Sequence, residues 1–439
     1  MTDQSPPTAG QPPDPSAAVV SPPAETQPAP QRRPPLGRVI VDAILDGNSA
    51  VVTALAIAAA LIVGGLLIAF SDTAVLHAWS GFFASPGTAI GKAWDAASSA
   101  YSALFEGSIF NPHAISAAVT GSGSVAASLN PLSETAVNAT PLIFTGLGVA
   151  VAFRAGLFNI GGTGQFIGGA IVATWLGFAV SMPPVVHIIV CVIGAFIGGA
   201  VIGWIVGALK ARTGAHEVIV TIMLNYVMIY LLSYLLGTSA LQRPGRTDLI
   251  SPVIAANAQL PHIAGPNLRV NAAFLLALAS AVAVWWLLSR STVGFEFRTI
   301  GANPSAGRSA GMSVERTWML AMLIAGGLAG LAGSALVQGT DYSLNFQSYS
   351  TYGFDGITVA LLGRARPLGV VLSALLFGAL HAGGGPMEAA TGTPQGVVQV
   401  IQALVVLFVA APALIRGMFR LRKAAAGGIG EVTSKGWNA

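Results

Sequence analysis

Val185 to Leu209 reads VVHIIVCVIGAFIGGAVIGWIVGAL, an apolar run without one charged side chain. A helix rises ~1.5 Å per residue and the hydrocarbon core of a bilayer is ~30 Å thick, so about 20 such residues cross it. The run therefore reads as a membrane helix. Within it Gly199, Gly203 and Gly207 recur every fourth residue. That spacing lays a strip without side chains along one helix face, where a second backbone can come close. Gly326 and Gly330 repeat the interval further along, and these five glycines are expected at helix-packing seams.

Working outward, further apolar runs cover Ala50 to Phe70, Leu132 to Phe153, Ile160 to Val180, Val218 to Leu236, Ala272 to Leu288, Trp318 to Val337, Leu368 to Leu380 and Val397 to Ile415, with a shorter piece at Phe354 to Leu362. Two of the runs are too short or too broken by glycine to be simple spans. The expectation is an all-α, polytopic membrane protein with roughly ten membrane passages or part-passages. Composition agrees: 54% of the 439 residues are hydrophobic and only 9% charged, against about 25% charged in soluble domains. An ordinary cytosolic enzyme, a secreted disulfide scaffold and a disordered regulator are excluded.

The chain carries a formal charge of +4, but its basic residues are dispersed and form no aromatic-interleaved stripe, so nucleic acid is not an expected partner. Cys191 is the single cysteine, which rules out an internal disulfide and a cysteine metal cluster. The six histidines lack ligand spacing, so neither a metal nor a cofactor is expected.

Residues 1–38 are rich in proline and read as a disordered cytoplasmic tail. Arg32, Arg33 and Arg38 come too late for a secretory signal. The membrane domain then occupies 39–422, with an extracytoplasmic segment at 71–130, a cytoplasmic loop at 290–317 and a second cytoplasmic tail at 423–439. Trp79, Phe82, Phe83, Trp94, Tyr101 and Phe105 suit a pair of amphipathic interfacial helices in the first of these; a small cap without a substrate role is the plainer reading. With both termini cytoplasmic, only Lys92, Arg243, Arg246 and Arg269 of the 21 basic residues fall outside, the asymmetry that the positive-inside rule prefers.

Polar residues at membrane depth are costly and turn toward protein or water. Asn159 and Gln165 lie among glycines in FNIGGTGQ (158–165), a stretch able to break a helix. They are candidates for a substrate pathway, and equally for caps at a turn. Glu217, Thr221 and Asn225 are spaced by four on one helix face. Capping suffices for Glu217, whereas Asn225 sits deep enough for a pathway or an interhelix bond, and Thr221 lies between. Asp355 opens the short apolar piece in a similar way. No catalytic set assembles: there is no G-x-x-x-x-G-K-[ST] loop and no H-E-x-x-H.

The loop from Arg290 to Arg316 is too long for a mere turn. Asn303 suits an N-cap, Pro304 the first helical position and Gly311 a left-handed close, which predicts about two helical turns across the inner membrane face. Ser305, Ala306, Gly307 and Ala310 are small and Arg308 is the one charge, so a partner's groove could approach closely.

Four segments in order, FNIGGTGQFIGGA (158–170), HEVIVTIMLNY (216–226), GANPSAGRSAG (301–311) and GFDGITVALLGRARPLG (353–369), resemble the permease subunits of ABC importers for simple sugars and nucleosides. That broader group includes ribose and branched-chain amino-acid permeases. The likeness runs from about Ala50 to Arg422 and is greatest toward the nucleoside branch. It implies a type II importer fold in a bacterial cell membrane, a second permease subunit, a cytoplasmic ABC ATPase that hydrolyses the ATP, and an extracytoplasmic substrate-binding lipoprotein. It further implies that Gly301, Asn303, Pro304, Ala306, Arg308 and Gly311 belong to the helix that couples to the ATPase. The family pattern N-I-G-x-E-G-Q carries Thr163 here at its acidic position. A permease for another small polar solute such as a branched-chain amino acid, and an ion-coupled secondary transporter, stand as the alternatives; the latter calls for deep ionisable residues.

Overall fold

The computed structural model describes residues 49–346 and 352–419. The two expected tails, 1–38 and 423–439, lie outside the described residues. In chain order the helices are α1 (Ser49–Ser71), α2 (Thr73–Ser80), α3 (Pro86–Ser108), α4 (Pro112–Val119), α5 (Val125–Arg154), α6 (Gly162–Ala179), α7 (Pro184–Thr213) and α8 (Glu217–Leu236). They continue as α9 (Ala272–Arg290), α10 (Thr292–Ala302), α11 (Pro304–Ser309), α12 (Val314–Leu336), α13 (Tyr352–Leu362), α14 (Pro367–Thr391), α15 (Gly396–Ala410) and α16 (Pro412–Met418). Among the described residues there is no strand, only the isolated bridges Ile250–Asn345 and His262–Asn271.

Seven helices, α1, α5, α7, α8, α9, α12 and α14, are long and apolar enough to cross a bilayer. With α6 at 18 residues and the shorter apolar α13 and α15, the protein is an all-α polytopic membrane protein. At ~1.5 Å per residue α13 extends only ~17 Å, too short to span the core by itself.

The centre of the bundle is α5 with α6, α7 and α12. From Ala139 to Ala152 every residue of α5 is buried. Between α7 and α12 the approach is backbone to backbone. A Cβ on Gly199 would strike the Gly326 carbonyl and one on Gly203 the Met322 carbonyl; Gly330 faces Ala195 and Gly199, and Gly207 faces Met319. The glycine of α6 at 169 meets Gly330 in the same way. No side chain fits in these seams, so the helices gain dispersion contact along their backbones, which is the main attraction available between helices in lipid.

The two ends of the bundle differ. At one end Arg154 Nε donates to the Ala365 carbonyl (3.2 Å), and Lys210 pairs with Glu217 (2.6 Å) while lying over the Trp318 ring (4.9 Å). At the other end the connection from α8 to α9 is stitched to the end of α12. Leu260 N donates to the Gln338 carbonyl (2.9 Å), Gln338 Nε2 to the Ala258 carbonyl (2.7 Å) and Asn271 Nδ2 to the Gly339 carbonyl (2.8 Å). Here α12 widens into a π turn, Val337–Asp341, a local geometry that recurs at functional sites.

The segment 71–130 holds three helices, not a pair, and α5 already begins at Val125. It is more than a surface dressing, because α3 lies against two spans. The Tyr101 hydroxyl donates to the Leu61 carbonyl of α1, and Gly107 abuts Pro386 of α14. Ala100 and Leu104 are buried while Trp94 points outward.

Candidate functional site

The connection from α5 to α6 and the first half of α8 form a buried amide knot. Asn159 Nδ2 donates to Gln165 Oε1 (2.9 Å) and Gln165 Nε2 returns the bond to Asn159 Oδ1 (3.1 Å), which also accepts from Gly161 N (3.0 Å). The first turn of α6 has no side-chain cap of its own, since its N-cap is Gly161. Asn225 supplies one from α8: its Oδ1 accepts from Gly164 N (2.8 Å) and its Nδ2 donates to the Ile160 carbonyl (3.0 Å). A helix start exposes N–H groups that need an acceptor, and here the acceptor comes from a neighbouring helix. Thr221 is buried one turn earlier with its hydroxyl on the Val218 carbonyl (2.9 Å). Glu217 ties the knot to α7 through Lys210 and accepts from Phe158 N (3.5 Å).

Four of the five pathway candidates, Asn159, Gln165, Thr221 and Asn225, therefore stand together, with their amides bonded to one another and to nearby backbone. Asp355 lies outside this hydrogen-bond network on α13, which packs on the start of α6 through Gly353, and its Oδ2 approaches His381 Nε2 at 3.4 Å without hydrogen-bond geometry. Tyr352 stacks on Phe166 (6.2 Å) and on His381 (6.5 Å). Thr163 is buried against Gly353 with an unbonded hydroxyl.

Tyr352 also closes a cavity of about 90 Å³ whose polar lining includes Asn138, Arg269, Asn271, Thr340 and Asp341. That is room for several waters but far below the ~300 Å³ of a small-molecule site. A second, more open space of about 490 Å³ lies between α3, α5 and α14, lined by Glu106, Asn111, Asn130 and Glu134. Arg269 of the first space and Glu134 of the second pair at 3.0 Å, so one ion pair joins the walls of both. Tyr352, His381, Arg269, Glu134 and Asp341 are not among the sequence candidates. The available signal was position: Glu134 is the single charge in the run Leu132 to Phe153, and Asp341 follows directly on a span.

The loop after α9 carries two helices where the sequence predicts one. Asn303 caps α11 as expected in form, its Oδ1 accepting from Ser305 N (3.0 Å) and Ala306 N (3.2 Å). The helix runs six residues and gives way to Gly311 at φ +80. Pro304, Ala306 and Arg308 face solvent, with Arg308 3.6 Å from Glu315, while Gly307 is buried against Ile300. Gly301, at the end of α10, sits on the backbone of Arg154 and Gly156. Gly156 has φ +73 there, a conformation that disfavours any side chain. The additional helix α10 is amphipathic and buries Phe297 and Ile300.

A bundle of apolar helices with hydrogen-bonded polar groups inside it is that of a multi-pass membrane protein. The chain matches, over residues 132–410, the family described as the permease component of the branched-chain amino acid transport system, and it belongs to that family. It is 38% identical over 286 residues to the guanosine ABC transporter permease protein NupP of Bacillus subtilis, covering 65% of this chain and 82% of the relative. It is 36% identical over 325 residues to the nucleoside ABC transporter permease protein NupB of Lactococcus lactis (70% and 86%). A third relative is the glucose ABC transporter permease protein TsgB13 of Haloferax volcanii, at 36% over 297 residues (63% and 75%). In each of these organisms a second, less similar permease protein also matches, at 25% to 31% identity. No solved structure matches the chain.

Proposed function

We propose that this chain is one of two non-identical permease subunits of an ATP-driven importer of nucleosides or related sugars. The observation that carries the reading is the set of relatives: guanosine, nucleoside and glucose permeases at 36% to 38% identity, each accompanied in its organism by a second permease. The Gly301 to Gly311 knob supports docking of a cytoplasmic ABC ATPase, because small exposed residues around one positive charge leave room for a partner's groove. ATP binding and hydrolysis in that partner would bias the permease between two states. An extracytoplasmic substrate-binding lipoprotein would deliver the solute to the opposite end. This orientation puts both termini in the cytoplasm.

The test is uptake by the reconstituted complex. Labelled nucleoside enters vesicles when the ATPase is active and stays outside when that partner carries an inactivating substitution; uptake indifferent to the substitution overturns the importer reading. Arg308→Glu combined with Ala306→Asp abolishes uptake while leaving insertion and folding intact, since both side chains face solvent. Normal uptake by that double variant removes the docking role of α11.

A further inference from the structure

α8 presents an unusual surface. Its inner face, Thr221, Asn225, Met228, Leu232 and Leu236, is buried against α6 and α7. Its outer face carries Tyr226, Tyr230 and Tyr234, one every fourth residue, at 55%, 71% and 68% exposure. Among the described residues none of the three hydroxyls has a hydrogen-bond partner in the chain. Measured from Glu217 at ~1.5 Å per residue, the rings sit ~14, ~20 and ~26 Å along the helix. Tyrosine is favoured at membrane interfaces, which accounts for Tyr234 near the helix end. It does not account for Tyr226 and Tyr230, which lie at the depth of the hydrocarbon core.

The outward side of α8 also carries the apolar Ile219, Met223, Val227 and Leu231, and at the same depth α6 and α7 expose Trp175 and Trp204. Most outward residues of α7 and α9 there are nevertheless aliphatic. On α7 they are Ile189, Ile193, Ile197 and Val201, and on α9 Leu275 and Val282, with Trp285 and Trp286 kept to the last two turns. A phenol hydroxyl facing lipid tails lacks a partner and costs several kcal/mol. Lipid is therefore a poor neighbour for the Tyr226 and Tyr230 hydroxyls.

We infer that Tyr226, Tyr230 and Tyr234 line the aqueous translocation path, opposite the second permease, and that they recognise the nucleobase of a nucleoside by ring stacking. This rests on the importer reading above and narrows its substrate class. The base is the part of such a solute with a π face, and a base stacks on tyrosine whatever its identity. Successive rings are ~6 Å apart along the axis, so a base leaving one ring meets the next. The hydroxyls, solvated in the path, remain free to bond the ribose. Repeated weak contacts of this kind favour entry without trapping the solute.

The test uses the full complex in membrane vesicles. Cys191 is fully buried, so Tyr226→Cys and Tyr230→Cys can be labelled with a membrane-impermeant thiosulfonate, with Ile193→Cys as the lipid-facing reference. Labelling of both positions at least tenfold faster than the reference, slowed severalfold by guanosine and not by glucose, is the expected result. In uptake, Tyr226→Ala and Tyr230→Ala each lower guanosine entry about tenfold, and phenylalanine at the same position restores most of it. Labelling as slow as at Ile193→Cys places the face in lipid or in a dry interface and overturns the inference. Equal protection by glucose overturns the stacking. Failure of the unmodified complex to import guanosine strikes the importer reading instead, because the labelling rates are read without transport.

Discussion

The seam between α7 and α12 and the outer face of α8 solve the same problem, that of placing a helix in lipid, in opposite ways. Along the seam Gly199, Gly203, Gly207, Gly326 and Gly330 bring two backbones into contact, and 83% of the most apolar 18 residues of α12 and its π turn are buried. On α8 only 22% of the corresponding stretch is buried and three tyrosines stand outward. The seam fixes geometry and leaves no room for chemistry. The α8 face contributes little to holding the bundle together and has polar groups to offer. The difference teaches that close backbone packing and outward polar groups occupy separate surfaces in this bundle.

The comparison breaks most readily at the seam. Gly203→Leu drives a side chain into the Met322 carbonyl. Backbones must then separate, at a cost of about 3 kcal/mol or more, and the protein is expected to lose most of its thermal tolerance in a detergent melting assay. Retained melting behaviour would show that the seam can open without penalty.

One step smaller is the amide knot. Asn225→Leu leaves Gly164 N and the Ile160 carbonyl buried without partners, a loss of about 2 kcal/mol. Hydrogen exchange should accelerate at the start of α6 while the middle of α12 keeps its protection. Exchange that rises equally in both would mean that the knot and the seam form one unit.

Tyr230→Leu sharpens the contrast from the other side. The ring is exposed and unbonded within the chain, so the melting transition of the isolated permease should move by no more than about 0.5 kcal/mol in stability. A large fall would assign Tyr230 to the packing of this subunit. The smallest effect belongs to the exposed pair Arg246 and Asp248, bonded at 2.7 and 2.8 Å. The Arg246 hydrogen bonds hold the Asp248 carboxyl below its ordinary value of 3.8. Any stabilisation is complete above that ordinary value and disappears as pH falls through the lowered one. Melting of the wild type and of Asp248→Asn should therefore coincide between pH 7 and pH 5 apart from a small constant offset, and a pH-dependent gap in that range would contradict the assignment.

The spans were legible because a helix surrounded by lipid must be apolar along its whole length, which leaves a long run in the chain. The bare strip on α7 and the Asn303 cap were legible because each depends on residues close in sequence. Other features depend on partners far away. Gln338 reaches Ala258 and Asn271 reaches Gly339, and no periodicity announces either bond. The same holds for α3, whose aromatic residues suggested a surface helix while its buried side found α1 and α14. Asn225 carried two readings in the sequence, and only the position of Gly164 shows what its amide holds. The tyrosine row was visible as letters throughout, but its meaning required knowing which face of α8 the rest of the protein leaves uncovered.

Gly301 and Gly156 touch without a side chain between them. Flexible side chains act as cushions, since rotamer changes absorb small displacements before the main chain moves. At this junction there is nothing to compress. Movement of the α10 to α11 elbow toward the foot of α5 meets main chain at once, and α5 is the same helix that bears Asn138 and Glu134 in its first half. The joint behaves as a hard stop instead of a spring.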